Sequence, residues 1–349
     1  MRAKLILENG SVFCGEGFGC LKDSVGEVVF NTGMTGYGEI FTDPSYYGQI
    51  VTMTYPLIGN YGVDLGDLES ASPKVKGVVV REICHYSSSF KSEMELEDYL
   101  KINKVVGLSG IDTRALTKSL RSKGTMKGII TVEDLDFHAV KNTIESFSNK
   151  NAVSEVTAKK KYTVGKGQKK IAVLDFGVKK SMIKAFLDRN CTVTVFPAAS
   201  RAEDILEIDP DLIFLSNGPG DPADLHFEIE NIKKLIGRKP IVGICLGHQL
   251  LALALGGTTA KLKFGHRGCN HPVKDLTSGK VRITSQNHGY YVDKLPENME
   301  ITHVSLNDGT IEGMKHKSLP IFSVQFHPEA CPGPEDNGYI FEEFMKYAL

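Results

Sequence analysis

Pro240-Ile241-Val242-Gly243-Ile244-Cys245-Leu246-Gly247-His248-Gln249 passes from an apolar run into a helical one, with a cysteine at the turn. Residues 241–244 have the continuous apolar character of a strand covered on both faces, and residues 246–255 read as the helix that follows. Gly243 and Gly247 flank the cysteine in the pattern G-x-C-x-G. This is the thiol version of a nucleophile elbow, in which a sharp strand-to-helix turn lifts one side chain above the sheet edge. Glycine leaves room where a Cβ would clash. The helix N-terminus presents partial positive charge to the sulfur.

The same rhythm extends upstream. Strands predicted at 171–176, 191–196, 212–215 and 241–244 alternate with helices at 180–189, 202–208, 227–236 and 246–255. Such alternation builds βαβ units on a parallel sheet, with ligands held by the loops after the strands. The first half reads differently. Residues 4–8 and 11–15 form a hairpin around Asn9-Gly10, further strands lie at 27–31, 49–55 and 77–83, and helices lie at 93–102 and 112–122. The second helix has Asp112 as its N-cap and places Leu116 and Leu120 on one face. Between the halves lies a Lys- and Gly-rich stretch that reads as a solvated connector. The expected architecture is α/β. A β-rich domain over residues 1–150 precedes a connector over 151–169 and a doubly wound, mostly parallel-sheet domain over 170–349.

Composition narrows the function classes. The 349 residues suit about two domains. Lys plus Arg total 41 against 42 Asp plus Glu, which argues against a broadly basic nucleic-acid binder. The amino-terminal apolar run is three residues long, short of the about 7–15 of a secretory leader. No apolar stretch approaches the about 20 residues of a membrane span. The seven scattered cysteines include no CxxC pair, as in a reduced, cytoplasmic protein without a disulfide framework or zinc knuckle.

A thiol nucleophile needs a base and a group to orient that base. Phe322-Ser323-Val324-Gln325-Phe326-His327-Pro328-Glu329 reads as an alternating strand ending in His-Pro-Glu. Residues two apart on an extended chain face the same way, so Glu329 can reach one nitrogen of His327 and leave the other for the sulfur. His248, three residues past Cys245 on the predicted helix, is a rival base. Ser216-Asn217-Gly218-Pro219-Gly220-Asp221-Pro222 follows a buried strand and offers backbone N–H groups to a carbonyl oxygen; the Leu246 N–H is their natural partner. Gln286-Asn287-His288-Gly289-Tyr290-Tyr291 mixes amide, glycine and aromatic groups suited to a polar substrate.

In that order, SNGPGDP, GICLGHQ and HPE resemble the class I, or triad, glutamine amidotransferases over about residues 170–349. The resemblance implies Cys245 as nucleophile toward the side-chain amide of glutamine, His327 as base and Glu329 as orienting acid. It makes His248 a helix residue near the site. Residues 26–62 and 109–128, with KFGHRGCNHPV (263–273) and ITSQNHGYYVD (283–293), are similar to the carbamoyl-phosphate synthase small-subunit family, essentially end to end. By that resemblance L-glutamine is held by Ser45, Gly218, Gly220, Leu246, Gln249, Asn287, Gly289 and Tyr290. Ammonia then travels through a tunnel to a large subunit, which consumes two ATP and bicarbonate to make carbamoyl phosphate for pyrimidine and arginine synthesis. No cofactor or metal is expected on this chain, which lacks a GxxxxGK[ST] loop; ATP and its metal ion are expected on the large-subunit partner. Two other readings fit parts of the sequence: the glutaminase of another amidotransferase such as anthranilate synthase, and a non-catalytic docking subunit.

Overall fold

The computed structural model describes residues 1–348. They form two compact units, residues 1–149 and 150–348.

The first unit closes seven strands into a barrel. They are β1 (Arg2–Leu7), β2 (Val12–Gly19), β3 (Ser24–Asn31), β4 (Gln49–Met53), β5 (Gly77–Val79), β6 (Val106–Ser109) and β7 (Met126–Thr131). Their order is β1-β2-β6-β5-β4-β3-β7, and β7 pairs back onto β1. The hairpin at Asn9-Gly10 forms as expected, with Gly10 at φ 81° in the turn. Val29, Val51 and Val78 lie opposite one another on adjacent strands and are fully buried. Helix Thr113–Lys123 begins where the sequence placed it: the Asp112 carboxylate accepts the Ala115 N–H at 2.9 Å, and Leu116 and Leu120 are buried.

The second unit is built on one ten-stranded sheet. Its strands are β8 (Tyr162–Val164), β9 (Lys169–Asp175), β10 (Cys191–Pro197), β11 (Leu212–Leu215), β12 (Ile241–Ile244), β13 (Thr258–Asp275), β14 (Val281–Lys294), β15 (Met299–Ser305), β16 (Ile311–His316) and β17 (Ile321–Val324). The order is β8-β10-β9-β11-β12-β17-β16-β14-β13-β15. Strands β10, β9, β11, β12 and β17 are parallel. Alternate residues of β9 feed two cores: Ala172 and Leu174 join one apolar cluster, Ile171 and Val173 another. That two-faced burial is why these strands read as unbroken apolar runs. From β9 the chain steps to β10 and then crosses back to β11. The reversal opens a crevice beyond the carboxyl ends of β9 and β11.

Two readings change. The expected connector is not a free linker, because residues 151–169 carry helix Ala152–Val156 and edge strand β8, which pairs antiparallel with β10. The Thr157 hydroxyl donates to the carbonyl of Asp175 at 2.6 Å, tying the stretch to the end of β9. The sheet also continues past its parallel centre through β16, β14, β13 and β15, all antiparallel, which the sequence pattern had not revealed.

Candidate active site

Cys245 stands between β12 and helix Leu246–Ala254 with φ 54° and ψ −106°. Positive φ at a non-glycine residue costs about 1–3 kcal/mol and persists only where its surroundings impose it. They do so here. The Cys245 N–H donates to the Val324 carbonyl at 2.9 Å, and the Gly247 N–H to that of Ser216 at 3.0 Å. A Cβ on Gly243 would lie 2.9 Å from the Gly247 carbonyl carbon, and one on Gly247 would collide with the Leu215 backbone. Both glycines are therefore required by the close approach of strand and helix. The cysteine is 2% exposed, and its Sγ lies 3.6 Å from the Asn287 carbonyl oxygen.

His327 reaches the site by a route the sequence did not show. Strand β17 ends at Val324, so His327 is not its last alternating residue. A single bridge to Ser285 holds it, its N–H donating to the Ser285 carbonyl at 2.9 Å. Its Nδ1 sits 2.7 Å from Glu329 Oε1. Its Nε2 is buried without a hydrogen-bond partner at normal distance. Burial alone would depress this imidazole. The Glu329 carboxylate, with the Cys245 sulfur near the ring, outweighs burial and pushes His327 up to about 10. Burial would likewise raise Glu329, but the Lys179 ammonium and then the imidazole hold it at about 2.

Lys179 is the residue that sequence reasoning missed. Its ammonium is buried, 2.8 Å from Glu329 Oε1, and donates to the Ala330 carbonyl at 2.9 Å. In the sequence it stands beside Lys180 at a helix start and looks like a solvated charge. Only the fold carries it to a carboxylate 150 residues away.

The rival base is placed differently. His248 is fully buried, its Nδ1 is 2.9 Å from the Ser323 hydroxyl, and burial followed by the charge of His303 depresses it to about 3. It is neutral and has no carboxylate partner, whereas His327 has one.

The loop after β11 lies at the crevice. Ser216 is buried and its hydroxyl accepts the Phe176 N–H at 3.0 Å. Gly218 packs so closely that a Cβ would meet the Phe176 carbonyl and the Leu246 side chain, and Gly220 takes φ 94°. The Leu246 N–H occupies the first helical position, where no intrahelical acceptor exists. One helical turn on, Gln249 Nε2 donates to the Tyr290 carbonyl at 2.7 Å and to Gln325 Oε1 at 3.0 Å. Asn287, Gly289 and Tyr290 lie on β14. The second unit thus gathers Cys245, His327, Glu329, Gly218, Gly220, Leu246, Gln249, Asn287, Gly289 and Tyr290 around the carboxyl ends of its central strands. Ser45 belongs to the first unit. It is buried in the turn Pro44–Tyr46, where the Asp43 carboxylate accepts its N–H at 2.9 Å.

A buried thiol on a strained elbow, an imidazole held by a carboxylate, and backbone N–H groups at a helix start define a cysteine acyl-transfer site on a doubly wound sheet. Comparison with known proteins makes the class specific. Residues 172–347 match the family described as glutamine amidotransferase class-I, and residues 5–130 match carbamoyl-phosphate synthase small chain, CPSase domain. The chain is 68% identical over 349 residues to the carbamoyl phosphate synthase small chain of Clostridium perfringens, covering 100% of both chains. It is 53% identical to the carbamoyl phosphate synthase pyrimidine-specific small chain of Bacillus subtilis, covering 99% of this chain and 96% of that one. The enzyme is a glutamine amidotransferase. The chain belongs to the carbamoyl-phosphate synthase small-chain family. Both the anthranilate synthase reading and the non-catalytic reading fall away. Among the described residues no helix is long and apolar enough to cross a membrane.

Proposed function

We propose that Cys245 is the nucleophile that releases ammonia from L-glutamine, with His327 as its proton-transfer partner and Glu329 as the orienting carboxylate. The observation that carries this is the 2.7 Å contact of His327 with a buried, Lys179-held Glu329, beside a thiol fixed at a positive-φ elbow. The sulfur adds to the amide carbon of the glutamine side chain. The developing oxyanion is met by the Leu246 N–H and by backbone N–H groups of the Gly218–Gly220 loop. His327 holds the proton taken from the thiol and delivers it to the departing nitrogen, so ammonia leaves and a glutamyl thioester remains. Water, losing a proton to the same ring, then cleaves the thioester to glutamate and restores the thiol. Gln249, Asn287, Gly289 and Tyr290, together with Ser45, are proposed to hold the amino-acid substrate. The first four rest on the geometry above; Ser45 rests on family resemblance alone.

Family membership supports a large-chain partner that receives the ammonia by an internal route and binds ATP with its metal ion. It also supports a product, carbamoyl phosphate, that feeds pyrimidine and arginine synthesis in the cytoplasm. Reconstitution with the partner large chain tests the assignment. Cys245→Ser should abolish carbamoyl phosphate formation from glutamine while leaving formation from an added ammonium salt near the wild-type rate. Retained glutamine use in that variant would contradict the proposal.

A further inference from the structure

His266 on β13, His288 on β14 and Glu312 on β16 converge in the antiparallel half of the second unit, with ligand-capable atoms all within 4.8 Å of one another. They are 6%, 5% and 0% exposed, so bulk water does not solvate them. Their hydrogen-bond bookkeeping does not close. His266 Nε2 lies 2.8 Å from Asp308 Oδ2, a carboxylate that only accepts, so Nε2 carries a proton and Nδ1 is the nitrogen turned into the cluster. His288 sets Nδ1 2.8 Å from the Tyr290 carbonyl and Nε2 2.9 Å from Gln286 Oε1, so both of its ring nitrogens face acceptor oxygens. Gln286 places its amide nitrogen on Glu312 Oε2 at 2.9 Å and turns its oxygen toward His288 Nε2, also at 2.9 Å. Glu312 Oε1 and His266 Nδ1 face each other at 3.7 Å, and neither has a hydrogen-bond partner. Two imidazole nitrogens, a carboxylate oxygen and an amide oxygen therefore meet in one buried spot, where His266 Nδ1 and Glu312 Oε1 have no hydrogen-bond partner.

We propose that this cluster binds a divalent cation of the zinc type, with His266, His288 and Glu312 as ligands. Two imidazoles and a carboxylate are a donor set that zinc accepts at about 2.0–2.2 Å, which sets ligand atoms about 3.4 Å apart. The present separations need to close by about an ångström. Each imidazole already donates its other N–H to an oxygen, the outer arrangement that orients metal-bound histidine. The role is structural. Strands β14 and β16 share one paired position, Val292 with Ile311, so no ladder holds Glu312 against His288. A cation there would clamp three strands directly behind Asn287 and Gly289. No step of the glutamine chemistry passes through it.

The test uses the full chain carrying Cys245→Ala, which removes the site thiol as a competing ligand. The protein is stripped with a chelator and titrated with cobalt(II). One equivalent should give the visible bands of a tetrahedral site with no sulfur-to-cobalt charge-transfer band. Zinc(II) should displace the cobalt and raise Tm. Glu312→Ala and His266→Ala should abolish stoichiometric binding. Asp308→Asn leaves all three ligands in place and should weaken zinc binding about 10–100-fold, which keeps the test decisive if the alanine variants fail to fold. Absence of cobalt bands together with an unchanged Tm, or bands that survive in folded Glu312→Ala or are undiminished in Asp308→Asn, would overturn the proposal. The first of these results would leave a proton on His266 as the charge that links the two carboxylates.

Discussion

At the residue scale the site is a chain of dependence running from Lys179 through Glu329 and His327 to Cys245. Each buried charge is tolerated because the next one compensates it. The linkage to pH follows from the direction of each shift. His327 is raised from 6.5 to about 10, so its contribution to stability is complete below about pH 6.5 and is lost as pH rises through 10. Glu329 is lowered from 4.5 to about 2, so its contribution is complete above about pH 4.5 and is lost as pH falls through 2. Glu329→Gln should therefore lower Tm most between about pH 4.5 and 6.5, with the difference from wild type shrinking toward both extremes. A pH-independent difference in thermal scans would contradict the ion-pair account. His327→Asn keeps a hydrogen-bonding side chain without a titratable ring. It should lower the glutamine-hydrolysis rate about 10²–10⁴-fold, the usual worth of general acid–base catalysis. Steady-state ammonia release in the reconstituted complex measures it, and a loss under tenfold would remove His327 from the proton-transfer role.

At the element scale the elbow works because backbone meets backbone. Gly247 lies against the Leu215 carbonyl, and no side-chain rearrangement can make room for a methyl group there. Gly247→Ala should cost about 1–3 kcal/mol, as overpacking does. In a unit of this size that lowers Tm by several degrees, and calorimetry showing no change would mean the strand–helix approach is looser than described. Asp112→Ala, far from the site, should cost about 1 kcal/mol by removing one N-cap bond. The same elements show what sequence can reveal. The central parallel strands were legible because both faces are buried, so each is a mostly apolar run. Strands β13 and β14 were not. They bury histidine, asparagine and glutamine where a strand pattern would place apolar residues, and three register shifts interrupt their pairing. That irregularity erases the period-two pattern on which strand recognition rests. The cysteine elbow and the His327–Glu329 contact were legible because each lies within one short motif. Lys179 was not, since its role exists only through a distant carboxylate.

At the scale of the whole molecule, closure of the barrel and the long antiparallel extension depend on pairings between remote segments. No local window contains them. The two-unit organisation was visible as a change of rhythm, although the lysine-rich stretch proved to be an edge of the second sheet. Each unit encloses its own apolar clusters. Residues 150–349 produced alone should therefore fold cooperatively, with a single sharp calorimetric transition. A chain that stays unfolded under those conditions would show that the first unit is needed to complete its core.

The most direct test of the central assignment is covalent labelling of the intact chain with a glutamine-like electrophile, with and without excess glutamine, read by intact mass and peptide mapping. The account predicts one adduct, on Cys245, suppressed by glutamine and absent in Cys245→Ser. The labelling is done both on the chain alone and in complex with its large-chain partner. Labelling spread over Cys14, Cys269 and Cys331 without glutamine protection, in both settings, would contradict it.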